Sequence, residues 1–265
     1  MPDAAVAAAP GDLVVDLRDL PFALDGGIAG KAAIGLIVLA TDHTIEHEWR
    51  ALLGGLPGIA FYESRIMNAA SIVPETLREM EKDIAGATRL IRPGERLDVV
   101  AFACTSGAMV IGDGPVADRV HEARPGLPCT NPMAAGIAAL QALGARRIAL
   151  LTPYVDRINR AMREHIQAQG LSVPVMGSFN HENDNEVARI DAASVKAAIL
   201  RLGSQEAVDA VFVSCTSLRV AALVEEVEAT LGKPVTSSNH ALAWHSLRLA
   251  GCRDALPGRG RLFLV

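Results

Sequence analysis

The chain has 265 residues, half of them hydrophobic and only 4% aromatic, and a net charge of −5 at pH 7. This length allows one large α/β domain or two lobes of moderate size, and the apolar content excludes wholesale disorder. The mildly acidic chain has no run of Lys or Arg, so we expect neither nucleic acid nor an anionic membrane as a partner.

The N-terminal segment shows no targeting or membrane signal. It lacks a basic region followed by an apolar core, and the longest wholly apolar stretch, residues 32–40, is far too short to cross a bilayer. We therefore expect a cytoplasmic protein whose four cysteines stay reduced. Residues 1–32 are predicted to form an extended arm, and its apolar part at 11–30 is the segment that would pack on a neighbouring copy in a homo-oligomer.

From residue 33 the sequence alternates apolar runs with amphipathic segments, which is typical of parallel strands covered by helices. The first half is predicted to contain strands at 34–40, 58–65 and 97–103, helices from 44 toward 53, over 74–90 and over 134–143, and a short strand or turn at 125–130. The pattern then restarts, with strands at 147–153, 171–179 and 210–214, helices over 154–169 and 192–202, and a last helix that follows 234–240.

Segments of the two halves repeat in the same order. The run from Asp98 to Ser106 recurs from Asp209 to Ser217, and its central cysteines, Cys104 and Cys215, are 111 residues apart (215 − 104). The repeat predicts an α/β fold of two similar βαβ lobes, 33–145 and 146–265, related by a pseudo-two-fold axis. Each lobe should hold a parallel sheet, with the active site between the lobes, and the C-terminal segment can cross back to the first lobe. Ligands of such sheets bind at the carboxyl ends of the strands, where both cysteines fall.

The duplicated cysteines are the candidate catalytic residues. A lone cysteine at a strand end is most often an inert buried thiol, and we interpret Cys129 and Cys252 in that way. Cys104 and Cys215 are instead each followed by Thr-Ser and are each expected to precede a helix, whose N-terminal field lowers the pKa of a thiol. One thiolate and one thiol on opposite sides of a pocket are a base and an acid for carbon chemistry.

The residues after each cysteine are predicted to bind a small carboxylate substrate. Hydroxyl groups and backbone N–H groups at Thr105, Ser106, Thr216 and Ser217 would hold its carboxylates and stabilise enediolate charge. This chemistry requires no cofactor. The spacing of the four cysteines does not fit a zinc site, so no metal is expected.

Other polar residues fall at the same predicted rim. Asp42 would cap the helix that follows it and contact the substrate, and Tyr154 would either hydrogen-bond a carboxylate or pack. The run 43–47 fits the H-x-x-E-H zinc pattern but directly follows a buried strand, so surface or capping roles are favoured. The run 237–240 is open between helix capping and substrate contact.

Four segments together resemble the aspartate/glutamate racemase superfamily, in the branch of maleate isomerases and arylmalonate decarboxylases. They are the two strand-Cys-Thr-Ser segments, the turn 41–44 and the run Leu151-Thr-Pro-Tyr154. The resemblance covers about residue 33 to the end, and the runs 40–46 and 236–240 are most similar to members grouped with ectoine utilisation. It implies that Cys104 adds to an alkene carbon while Cys215 is the acid/base partner.

The chain also departs from the family pattern. The isomerases hold Asn where this chain has Asp42, and a carboxylate there repels a dicarboxylate, which argues against maleate itself. A second isomerase Asn corresponds to Asp184 or Asn185, and Asn185 is included in the predicted substrate site. The decarboxylases have glycine at the first cysteine position. The presence of Cys104 in this chain therefore favours a two-thiol isomerase or racemase. The alternatives are a decarboxylase of the arylmalonate type and a non-catalytic protein that binds small carboxylates.

Overall fold

The computed structural model describes residue 15 and residues 17–265, so the predicted arm lies partly outside the described residues. Between residue 17 and the first strand the chain forms neither helix nor strand. Several apolar side chains of this part are exposed, namely Val15, Leu17, Leu20, Phe22, Leu24 and Ile28. The proposal that this segment packs on a second copy stays a prediction.

Two four-stranded parallel sheets form the framework, and their strand orders, β2-β1-β3-β4 and β6-β5-β7-β8, are equivalent. The strands are β1 Ala32–Leu39, β2 Ile59–Ile66, β3 Val99–Phe102, β4 Cys129–Thr130, β5 Arg147–Thr152, β6 Ser172–Ser178, β7 Ala210–Val213 and β8 Val235–Ser237. All eight residues of β1 are buried, as expected for a central parallel strand covered on both faces. The predicted fold class of two similar α/β lobes is confirmed.

Helices connect the strands. They are α1 Ile45–Leu53, α2 Pro74–Glu79, α3 Glu81–Leu90, α4 Thr105–Ile111, α5 Asp113–Ala123, α6 Pro132–Ala142, α7 Asp156–Ala168, α8 Asp184–Val187, α9 Ala192–Gly203, α10 Val224–Leu231 and α11 Ser238–Leu249. The single helix predicted over 74–90 is two helices, separated at the buried Met80. In the described part of the chain, no helix combines the length and the apolar character needed to cross a membrane.

The duplicated aspartates that open each repeat have equivalent structural roles. Asp98 accepts a hydrogen bond from the Ala33 N–H at 2.7 Å, and Asp209 accepts one from the Arg147 N–H at 3.0 Å. Each carboxylate therefore fixes the start of the central strand of its own sheet.

The last helix of each lobe packs on the other lobe. Helix α6 contacts β7 and β8, while α11 contacts β1, β3 and β4. Gly136 of α6 allows this approach, since a Cβ there would lie 2.6 Å from the Phe212 ring. The exchange of helices binds the two sheets together and fixes the loops at their carboxyl ends relative to one another.

Candidate active site

Both duplicated cysteines line one small cavity. Cys104 follows β3 and Cys215 follows β7, so equivalent loops of the two lobes meet at one place. The polar groups that line the cavity besides the thiols include those of Asn68, Thr105, Ser106, Tyr154, Asp184 and Thr216, and apolar walls come from Leu39, Ile72, Leu77 and Met80. Each cysteine is 4% exposed, so the thiols face a nearly enclosed space.

Cys104 is the N-cap residue of α4. Its Sγ accepts a hydrogen bond from the Gly107 N–H at 3.2 Å. Gly107 has to be small, because a Cβ there would lie 2.8 Å from that sulfur. Burial, with a contribution from the nearby Asp184, nevertheless raises the pKa of Cys104 to about 12. The Gly107 N–H at the start of the helix lowers the pKa but is outweighed, so the predicted net lowering is wrong.

Cys215 has a strained backbone. Its φ of 148° lies in a region that side chains rarely adopt, and such strain costs about 1–3 kcal/mol. Its N–H donates to Ser238 Oγ at 3.0 Å. Burial raises the pKa of Cys215 as well, against a lowering by the adjacent Tyr154 phenol.

The helix predicted directly after Cys215 does not form. The carboxylate of Glu48 accepts from the N–H groups of Val220 and Ala221, at 2.6 Å each. The Thr216 carbonyl accepts from Asn239 Nδ2 at 2.7 Å, and the Ser217 carbonyl accepts from the Thr44 hydroxyl at 3.1 Å. These backbone groups bond to side chains from elsewhere, so they are not paired with each other as a helix requires.

Tyr154 lies at the carboxyl end of β5, as predicted, and lines the cavity. It is 2% exposed, and burial raises the pKa of its phenol well above the ordinary value. The phenol is therefore neutral and lies beside the Cys215 thiol, where it can donate a hydrogen bond to that sulfur or to a ligand.

The four predicted hydroxyl groups have different roles. Thr105 hydrogen-bonds Ser238 at 2.8 Å, and Ser217 donates to Asp184 Oδ1 at 2.8 Å, so both hydroxyls are engaged with the protein. Ser106 and Thr216 line the cavity, and Ser106 Oγ lies 4.0 Å from the Cys104 sulfur. These two remain the hydroxyls best placed for a substrate.

Asp184, rather than the predicted Asn185, faces the cavity. Its Oδ2 accepts from the Thr41 hydroxyl at 2.6 Å, and the carboxyl group is buried. Asn185 does not line the cavity, because its side-chain oxygen pairs with His43 Nε2 at 2.7 Å. The assignment of Asn185 to the substrate site is therefore corrected to Asp184.

The Asp42 side chain caps the start of α1, although the N-cap residue itself is Thr44. Its Oδ1 accepts from the N–H groups of Thr44 and Ile45, at 2.7 and 2.9 Å. Its Oδ2 is buried without a hydrogen-bond partner among the described residues. Burial raises the pKa of this carboxyl, and Asp42 in turn raises the pKa of both Cys104 and Cys215. Asp42 does not itself line the cavity, so its predicted contact with the substrate stays a prediction.

Ser238 is the positioning residue that sequence reasoning missed. Its buried Oγ joins the two cysteine loops, because it bonds both the Cys215 N–H and the Thr105 hydroxyl. In the same run, Ser237 caps α11, and the His240 ring bonds the Arg259 carbonyl at 2.7 Å. The run 237–240 therefore fixes the loops, and nothing but its place beside a strand end could have signalled this.

The H-x-x-E-H run has protein partners. Besides the pairing of His43 with Asn185, Glu46 forms an ion pair with Arg65 at 2.8 Å. Cys129 and Cys252 are half-buried thiols that do not line the cavity.

Comparisons with known proteins identify the family. The arylmalonate decarboxylase family model matches residues 34–263. The chain belongs to the arylmalonate decarboxylase family. It is 32% identical over 241 residues to arylmalonate decarboxylase of Bordetella bronchiseptica, covering 89% of this chain and 98% of that protein. It is also 31% identical over 242 residues to maleate isomerase of Nocardia farcinica, covering 88% of this chain and 96% of that one.

Solved structures of family members have the same fold. A cysteine-to-serine mutant of the Nocardia farcinica maleate cis-trans isomerase, with a covalently bound succinylcysteine intermediate, aligns with a TM-score of 0.80 at 28% identity. The alignment covers 88% of this chain and 98% of that structure. The family resemblance inferred from sequence is thereby confirmed, and the protein is an enzyme of the isomerase or decarboxylase type.

Proposed function

We propose that this family member is a cofactor-independent isomerase or racemase that uses Cys104 and Cys215 on a small carboxylate. The observation that carries the proposal is that two thiols from equivalent loops line one cavity. Tyr154 lines the same cavity. The succinylcysteine intermediate of the Nocardia farcinica isomerase supports a cysteine as the nucleophile. We propose ectoine-derived carboxylates as the first substrates to screen, because of the resemblance of runs 40–46 and 236–240.

For cis-trans isomerisation, the Cys104 thiolate forms an S–C bond with one alkene carbon, and the π electrons move to the neighbouring carbon as an enediolate. The Cys215 thiol donates its proton to that carbon. After rotation about the single bond, Cys215 takes back a proton and the S–C bond breaks. For racemisation, one thiolate removes the α-proton while the other thiol delivers a proton to the opposite face.

Both routes require one ionised thiol. Because burial raises the pKa of Cys104 to about 12 and also that of Cys215, the ligand-free site holds two neutral thiols at pH 7. Ionisation of one thiol therefore has to accompany substrate binding.

The test is turnover in D₂O with variants of single cysteines. The proposal expects deuterium at the reacting carbon, and loss of about 100-fold or more in kcat for both Cys104→Ser and Cys215→Ser. Cys129→Ser and Cys252→Ser are matched controls outside the cavity and should keep full activity.

Two other outcomes would reject the proposal. Release of bicarbonate, with activity retained in Cys104→Gly, would identify a decarboxylase. Protection of the thiols from alkylation by carboxylates that are never turned over would identify a binding protein.

A further inference from the structure

The cavity contains negative charge and no opposing cation. Among the described residues that line it there is no Lys, Arg or His. Asp184 is the charged residue of the lining, and its two oxygens accept hydrogen bonds only from hydroxyl groups, those of Thr41 and Ser217. Hydroxyl groups donate hydrogen bonds to a carboxylate but carry no charge, so they do not neutralise it.

A second carboxyl group lies beside it. Asp42 is 3% exposed, and its Oδ2 is buried without a hydrogen-bond partner among the described residues. Asp42 does not itself line the cavity, but the Thr216 side chain, which does, lies against its carboxyl group. Asp42 also interacts electrostatically with Asp184 and with both thiols, so it adds a like charge next to Asp184 without contacting the cavity.

A dicarboxylate fits this arrangement poorly. Each of its carboxylates would enter a nearly enclosed space that is lined by the Asp184 carboxyl group and by no Lys, Arg or His, and repulsion between like charges is strong where water is excluded. A substrate with a cationic nitrogen meets the opposite situation, because its N–H groups can donate to Asp184.

We propose that the substrate carries an ammonium or amidinium group, held by Asp184 and favoured by the further negative charge of Asp42, and a single carboxylate. The inference rests on the proposed function and names the substrate class of the same site. A positive charge beside the two thiols also favours ionisation of one of them, which is the step that the ligand-free site opposes. Substrate binding would thus supply the thiolate that the reaction needs.

The test compares three ligands of the same shape and different charge. Succinate, succinamate and 3-amidinopropanoate share a propanoate and end in a carboxylate, an amide and an amidinium group. Their affinities are measured by calorimetry on the wild-type protein. We expect 3-amidinopropanoate to bind at least about tenfold more tightly than succinate, with succinamate between them, which corresponds to about 1.4 kcal/mol.

Two isosteric variants test the assigned residues. Asp184→Asn should abolish or reverse the preference, and Asp42→Asn should reduce it. Asn is as good a helix cap as Asp, so α1 should persist in the second variant. Asp156→Asn, at an exposed surface position, controls for the change in net charge and should leave the preference unchanged.

A second measurement decides the matter if all three ligands bind weakly. The rates at which cationic 2-aminoethyl methanethiosulfonate and anionic 2-sulfonatoethyl methanethiosulfonate modify Cys104 and Cys215 are compared, each divided by its rate with a small free thiol. The proposal expects the cationic reagent to be favoured at least tenfold, and expects Asp184→Asn to remove that preference.

Equal or tighter binding of succinate, or an equal or faster rate of the anionic reagent, would overturn the inference. Such a result would leave the two-thiol reaction standing, because that is tested separately by Cys104→Ser and Cys215→Ser. Conversely, loss of the two-thiol scheme would not alter the charge preference measured here.

Discussion

Ser238→Ala tests whether one hydroxyl holds the two cysteine loops together. In the structure, Ser238 Oγ lies 3.0 Å from the Cys215 nitrogen and 2.8 Å from Thr105 Oγ1, in a fully buried position. The substitution leaves a backbone N–H and a hydroxyl without partners. It also removes a constraint on the strained backbone of Cys215.

Each of the two buried groups left unsatisfied costs about 1–3 kcal/mol, so the free energy of unfolding should fall by about 2–6 kcal/mol. At about 2 °C per kcal/mol for a chain of this size, the melting temperature should fall by about 4–12 °C. Displacement of Cys215 should also lower kcat by about tenfold or more. Urea unfolding followed by circular dichroism measures the change in the free energy of unfolding.

The same helix provides a matched control. Ser246 of α11 is also fully buried, but its hydroxyl has no hydrogen-bond partner among the described residues. Ser246→Ala removes the same atom without breaking a bond, so it should be neutral or stabilising. If Ser238→Ala is as well tolerated as Ser246→Ala, the assigned role of Ser238 is refuted.

Three further predictions concern ionisation and packing. Burial raises the pKa of Glu48 from 4.5 to about 7, so the stability that protonated Glu48 contributes is fully present below pH 4.5 and is lost as the pH rises through 7. Relative to Glu48→Gln, the wild-type free energy of unfolding should therefore fall by about 3 kcal/mol between pH 4.5 and 8, and parallel pH profiles would contradict this. Because burial raises the pKa of Cys104 to about 12, its alkylation by iodoacetamide should accelerate about tenfold per pH unit from 7 to 10; a plateau near pH 9 would indicate an ordinary thiol. Gly107→Ala would place a Cβ 2.6 Å from the Met80 methyl and 2.8 Å from the Cys104 sulfur, and should cost about 1–3 kcal/mol in urea unfolding. Gly86→Ala, in α3 with nothing within 4 Å, should instead be neutral or stabilising, and equal costs for the two would refute the packing argument.

Much of the fold could be predicted from sequence, because the same local pattern of apolar residues occurs in both halves of the chain. The run before Cys104 and its copy before Cys215 each end a buried strand, and that alone places both thiols at the carboxyl edges of two sheets. The position of Tyr154 could be predicted in the same way, because it comes just after β5. Strand ends are determined by local hydrophobic periodicity, which sequence reading detects well.

The features that could not be predicted from sequence depend on contacts between distant parts of the chain. Asp184 faces the cavity because Thr41 and Ser217 bind its carboxylate, 143 and 33 residues away along the chain. The loop after Cys215 stays non-helical because Glu48 takes its N–H groups, 172 residues away. The expected lowering of the thiol pKa was wrong for a similar reason, since burial outweighs the field of a short helix.

The central claim is that Cys104 and Cys215 face the same ligand from two sides. Treatment with 1,3-dibromoacetone, followed by digestion and mass spectrometry, tests it most directly. We expect one acetone bridge that joins the peptide of Cys104 to the peptide of Cys215, lost in either serine variant and retained in Cys129→Ser. Separate single adducts on the two cysteines, with no bridge between them, would contradict the account.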